Sequence, residues 1–265
     1  MSAFGTQGAD DFGQSSLTRP CLILAVHGRW NRPVTTVVAG FGKTTLLSQA
    51  VAENLLARIG TDIVLRLEAA DNRASRLVSR VLAALGVDVP RFADTDELLQ
   101  VLVDAMWTRA PTPICLVLDD VHELDPASAG LALLRRLVQS LPRNAHVLLG
   151  SRNLPDIGIA RLAVDGAAHV LREDDMRFTD AEIGEFARLR GVAPEFVGAA
   201  QGWPALAELL ARAPGITTDE YVWEQIISPL GDAVRARLVE LAALGGADDE
   251  SLRWSPVDRW CSRMC

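Results

Sequence analysis

Lysine is almost missing from this chain. Its 265 residues carry 26 basic side chains and 34 acidic ones, and one of the 26, Lys43, is lysine. Either cation solvates a surface, so most positions accept arginine in lysine's place. A site that needs a compact ammonium on a flexible stem does not. The single lysine is therefore the first place to look for chemistry. A basic excess is also missing. The formal net charge is −8, and phosphate backbones are held by clustered cations, so direct DNA binding by this chain is not expected.

Long apolar runs are absent too. The longest, such as residues 21–26 and 114–118, are of strand length, far below the ~20 residues of a membrane span, so no membrane contact is expected. Residues 1–16 (MSAFGTQGADDFGQSS) have neither a basic start nor an apolar stretch, and predict a floppy leader rather than a secretory signal. Cysteine is scarce. Cys115 lies in an apolar strand, and Cys261 and Cys265 form one pair with no second, which argues against a zinc site. These features point to a reduced, cytoplasmic protein. With 49% hydrophobic and 23% charged residues, wholesale disorder is excluded.

What is present is an alternation. β-Branched residues 34–38 end near Gly40, and Leu46, Leu47, Ala50, Val51 and Leu55 follow at helical spacing. Strands are predicted at 62–67, 113–119, 145–151 and 168–172, and helices at 73–86, 95–107 and 126–140. After about residue 175 only helical patterns remain, at 179–190, 194–200, 204–213 and 219–244. The order predicts an α/β fold: a three-layer αβα parallel sheet followed by a smaller helical domain.

Lys43 stands where the first strand meets the first helix, in Ala39-Gly40-Phe41-Gly42-Lys43-Thr44-Thr45. In a P-loop, backbone amides of a glycine-rich turn and a helix N-terminus hold phosphate oxygens, the lysine reaches the β- and γ-phosphates, and the next hydroxyl binds Mg²⁺. Gly40, Phe41, Gly42, Lys43, Thr44 and Thr45 are accordingly the candidate nucleotide residues, with ATP or ADP and Mg²⁺ as the ligands. The full pattern wants glycine or alanine five positions before Gly42, where this chain has Val37. Valine favours continuing the strand, which predicts a shortened or reshaped loop. Asp119 and Asp120 end the apolar strand 116–118. Asp119 is the candidate Mg²⁺ ligand with Thr44, and Asp120 the group that orients the attacking water. Arg152, after the strand 145–151, is the candidate γ-phosphate sensor. His122 reads as a partly exposed loop histidine. No G-x-G-x-x-G fingerprint and no Ser-His-Asp signature occurs.

With these residues the chain resembles the STAND class of P-loop NTPases, in particular the ATPase module of large LuxR-type transcriptional regulators. The resemblance runs from about residue 32 to 244. It is carried by Gly40–Gln49, Leu67–Leu77, Leu116–His122, Ser151-Arg152, Leu171–Phe178 and Gly202-Trp203-Pro204. It implies a nucleotide domain, a helical domain whose Pro204 lies near the adenine, and a winged-helix module. The implied division is an N-terminal leader and segment (1–30), the NTPase domain (31–175), a helical lid (176–215), the start of a winged-helix-like segment (216–250) and an irregular tail (251–265). Between Pro33 and Ala39 the chain is about three residues shorter than the family's usual stretch. The family's helical-repeat sensor region and DNA-reading helix-turn-helix have no counterpart in the 265 residues. The implied function is an ATP-dependent switch with slow hydrolysis, partnered by nucleotide and by self-association or other protein domains. The alternative is a non-catalytic interaction module whose P-loop has degraded.

Overall fold

The computed structural model describes residues 17–88, 94–212, 227–228 and 231–243. The leader 1–16, the Cys261/Cys265 pair and the tail 251–265 lie outside the described residues. Of the helix expected over 219–244, Asp232–Ala243 is helical.

Five parallel strands form one sheet: β1 (Val34–Val38), β2 (Thr61–Arg66), β3 (Ile114–Asp119), β4 (Ala145–Ser151) and β5 (Ala168–Leu171). Their spatial order is β2-β3-β4-β1-β5. The continuous apolar run of β3 reflects burial on both faces. Ile114, Leu116 and Leu118 point into one core with α3 (Ala74–Ala84), α4 (Thr95–Trp107) and α5 (Ala129–Gln139). Cys115 and Val117 point into the opposite core with α1 (Pro20–His27) and α2 (Lys43–Leu56). A period of two along the strand thus feeds two helical layers.

Two expectations need correction. The apolar stretch 21–26, judged to be of strand length, lies in helix α1. Pro20 takes its first position, where a missing N–H costs nothing, and Leu22 and Val26 bury one face at i, i+4. In α2, Leu46, Leu47 and Ala50 are buried as the pattern requires, but Leu55 is 66% exposed. The buried stripe passes instead through Asn54. That side chain donates to Gly60 O (3.1 Å) and Asp62 Oδ2 (2.8 Å) and accepts from the Ile59 amide (3.0 Å), closing the turn into β2.

After the short helices α6 (Ile159–Val164) and α7 (Glu173–Met176), the helices α8 (Asp180–Arg190), α9 (Pro194–Gly198) and α10 (Pro204–Arg212) build a separate small core around Phe186, Ala187, Val197 and Leu206, which also takes in Leu17. A capping box between Thr179 and Glu182 starts α8.

Candidate functional site

β1 ends at Val38, and only residues 39–42 separate it from Lys43, the first residue of α2. Val37 lies inside β1, fully buried, in register with Gly150 on one side and Leu171 on the other. The strand therefore continues through the position where a longer loop would begin. Gly42 caps α2 with φ +70°, a conformation that L side chains rarely adopt. Lys43 is buried, and its Nζ donates across the loop to Ala39 O at 2.8 Å. Burial lowers the pKa of its ammonium; Asp119 and Asp120 oppose that, and Arg152 adds to it.

The next residue reaches the end of β3. Thr44 Oγ1 donates to Asp119 Oδ2 at 2.6 Å, and Asp119 Oδ1 accepts the Asp120 amide at 2.9 Å. A hydroxyl beside a buried carboxylate, at the N-terminus of a helix that follows a glycine turn, is a set of hard oxygen donors that fits Mg²⁺. Among the described residues no cluster of three or more His, Cys, Asp or Glu could hold a metal. A cation here would rest on Thr44, Asp119 and the oxygens of a ligand.

Asp120 turns the chain sharply, with φ +55° and ψ +40°. Its Oδ2 accepts from Nε of Arg66, at the end of β2, at 2.6 Å. That hydrogen bond, with the charge of Asp120, raises the guanidinium's pKa. The following turn is held by Asn72. Its Nδ2 donates to Glu123 O (3.2 Å), and its Oδ1 accepts from the Asp125 amide (2.7 Å). His122 is partly exposed, as the sequence suggests: its side chain is 14% exposed, with Nδ1 at 4.0 Å from Asp120 Oδ1. Burial lowers its pKa, Arg152 and Lys43 add to that, and Asp120 and Glu123 oppose it.

β4 lies between β1, which leads into the Lys43 loop, and β3, which ends in Asp119. Ser151 sits level with Val38, and Arg152 follows it, exposed. Its charge lowers the pKa of both Lys43 and His122. Gly150, unnoticed in the sequence, makes this packing possible: a Cβ there would lie 2.5 Å from Asp119 Oδ1 and 3.1 Å from Leu47 Cδ2. A glycine inside an otherwise apolar strand was the available signal.

The remaining candidates lie toward the small helical core. Phe41 packs on Trp203, with ring centroids 5.8 Å apart. Thr45 and Pro204 line one groove of about 280 Å³ together with Gly42, Leu46 and Met176. Around Gly40 nothing lies within 4 Å of a would-be Cβ, leaving that side of the loop open. Arg19, which the sequence reading did not single out, borders the groove as well. It donates to Met176 O (2.6 Å), Arg177 O (2.5 Å) and Glu182 Oε1 (2.8 Å). Lys43, Thr44, Asp119, Asp120 and Arg152 thus gather at the carboxyl ends of β1, β3 and β4, the usual ligand edge of a parallel sheet, while Thr45 and Pro204 face the adjoining groove.

This architecture is a three-layer αβα parallel-sheet fold shared with solved structures. Among solved structures it is similar to Cdc6p from Pyrobaculum aerophilum, with a TM-score of 0.54 at 18% identity over 80% of this chain and 65% of that one. It is also similar to the Aeropyrum pernix ORC2 protein in its ADPNP-ADP complexes, with a TM-score of 0.50 at 13% identity over 92% and 72% of the two chains. In sequence the chain is homologous to the HTH-type transcriptional regulator MalT, in keeping with the STAND-class resemblance. The MalT of Klebsiella pneumoniae subsp. pneumoniae is 27% identical over 223 residues, covering 75% of this chain and 24% of that protein. The MalT of Yersinia pestis is 22% identical over 275 residues, covering 89% and 30%. The chain therefore spans less than a third of these relatives' length. No family model matches it.

Proposed function

We propose that this chain is the ATP-binding switch module of a bacterial signal-transducing transcriptional regulator, with slow ATP hydrolysis resetting the switch. The observation that carries the reading is the 2.6 Å pairing of Thr44 with Asp119 directly after buried Lys43. It unites a phosphate-reaching ammonium with a ready pair of Mg²⁺ ligands. Lys43 and the amides of residues 40–45 would hold the phosphates, Thr44 and Asp119 the Mg²⁺, and Asp120 would orient water. Arg152 would meet the terminal phosphate, and Pro204 would flank the base. The bound cation would neutralise charge developing on the phosphates.

Residues 31–175 then act as the nucleotide domain and 176–215 as its lid; most of the expected winged-helix-like segment, 216–250, lies outside the described residues. Nucleotide state would bias their arrangement, and through it self-association or docking of other domains. A cytoplasmic setting, with DNA contact left to other parts of a regulator, completes the reading; among the described residues no helix is long and apolar enough to cross a membrane.

Calorimetry with Mg·ADP and Mg·ATP tests it: the chain should bind both, and Lys43→Ala should weaken binding at least ~10-fold, the loss of about one charge-assisted contact. Equal binding by wild type and Lys43→Ala would overturn it. One observation favours the rival reading, a non-catalytic interaction module: Val37 extends β1 and leaves only four loop residues, with Lys43 bonded to Ala39 O. Absence of any nucleotide binding would decide for that module.

A further inference from the structure

Asp120 is poorly suited to act alone as the base that deprotonates water. Its Oδ2 is held at 2.6 Å by the Arg66 guanidinium, so that oxygen is already engaged. Its other oxygen faces a different group. His122 Nδ1 lies 4.0 Å from Asp120 Oδ1 and is buried without a hydrogen-bond partner among the described residues. A buried polar nitrogen left unpaired is uncommon and calls for an explanation. The positive φ of Asp120 is a second local oddity at the same turn, and such backbone strain clusters at functional sites. Four charged groups bear on the imidazole: Arg152 and Lys43, and Asp120 and Glu123, whose Oε1 lies 3.8 Å from His122 Nε2.

We propose that His122 is the general base of this site, taking the proton of the water that Asp120, held by Arg66, orients toward the terminal phosphate of ATP. The inference rests on the ATPase reading above. In the step, a lone pair on the water oxygen forms the new O–P bond. The bond from the terminal phosphorus to the bridging oxygen breaks, and its electron pair leaves on ADP. One water proton goes to the His122 imidazole, which later returns it to solvent, and the other stays on the oxygen now bonded to phosphorus. Burial and the two nearby cations keep the imidazole neutral near pH 7, with a lone pair available. The 4.0 Å gap is longer than a hydrogen bond, and catalytic contacts commonly tighten only when substrate is bound.

The test is single-turnover ATP hydrolysis by the full chain across about pH 5.5 to 9, a range that spans imidazole titration, alongside Mg·ADP calorimetry. Wild type should lose rate on the acid side as His122 protonates. His122→Gln should bind Mg·ADP within about threefold of wild type, yet hydrolyse ATP roughly 10²–10⁴-fold more slowly, the usual worth of a general base. Added imidazole should restore part of the rate to His122→Ala and none to His122→Gln. A packing role for His122 would produce neither the acid limb nor the rescue. A wild-type rate that is flat through the imidazole range, or near-wild-type hydrolysis by His122→Gln, would overturn the proposal. A chain that binds Mg·ADP but never hydrolyses ATP would overturn it too, while leaving nucleotide binding intact. A chain that binds no nucleotide would instead bring down the underlying reading.

Discussion

At the scale of single residues, the two glycines that matter most to a test lie outside the glycine-rich loop. Gly150 sits in β4 where any Cβ would press on Asp119 Oδ1 at 2.5 Å. Gly150→Ala should therefore cost roughly 1–3 kcal/mol of stability, the usual penalty for overpacking. It should also weaken Mg·nucleotide binding by displacing the carboxylate that meets Thr44. Gly184, inside α8, has nothing within 4 Å of its would-be Cβ. Gly184→Ala should stabilise by up to ~1 kcal/mol through helix propensity alone. Thermal melts of the two variants, with calorimetry on the first, check both claims. A neutral Gly150→Ala with intact Mg·ADP affinity would remove the argument that β4 shapes the site. Lys43 was legible in the sequence because one lysine among 26 cations marks itself. Gly150 and Arg66 were not, because their roles depend on which strands become neighbours.

Elements were easier to read than their neighbours. All five strands lie within a residue or so of their expected limits, and β3, buried throughout, is apolar up to Asp119 because a strand buried on both faces must be. The order β2-β3-β4-β1-β5 could not be read from local patterns. It decides that β4 ends between Lys43 and Asp119, and so brings Ser151-Arg152 into the cleft. Helix α1 was missed because a short apolar run suits either element, and burial on one face only is a tertiary fact. Its N-cap residue, Arg19, ties the start of α1 to the start of α8 through Glu182 and the Met176 and Arg177 carbonyls. Burial alone would push the Glu182 carboxyl upward. The hydrogen bonds from Arg19 and Thr179 and the charge of Arg19 outweigh it and hold the pKa below its ordinary 4.5. A depressed carboxylate pKa gives stability that is full above the ordinary value and is lost as pH falls through the folded value. Arg19→Met should lose about 1–3 kcal/mol at pH 7, as charged hydrogen bonds do. Its deficit relative to wild type should shrink as pH drops through the glutamate range. The part due to the two carbonyls should persist. Denaturant titrations at several pH values measure this, and a pH-independent difference would show that the Glu182 contact contributes nothing.

At the scale of the whole molecule, the question is how a phosphate-sized event at residues 40–45 could reach the small helical core. Among the described residues several side chains link the two. Met176 Cε would lie 3.2 Å from a Cβ on Gly42, Phe41 packs on Trp203, and Gln49 Nε2 in α2 donates to Leu17 O at 3.1 Å. Gly202 adopts φ +79°, and a Cβ there would fall 2.7 Å from Phe178 O, so the turn that presents Trp203 allows little else. Trp203 packs against the core beneath the loop and against the core of α8–α10. If nucleotide tightens the loop, the stabilisation should be shared through this indole. Mg·ADP at about 100 times its Kd should stabilise the wild-type chain by roughly 2.7 kcal/mol by mass action, in a single cooperative transition. Trp203→Ala removes the bridge while leaving Lys43, Thr44 and Asp119 in place. In that variant the small helical core should melt separately, at a temperature that no longer responds to nucleotide, while the sheet core keeps its shift. Trp203→Phe, which keeps a ring against Phe41, should behave as wild type. Differential scanning calorimetry resolves the two transitions. A single transition with an undiminished nucleotide shift in Trp203→Ala would mean that coupling travels by another route, with Met176 and Arg19 the next contacts to remove.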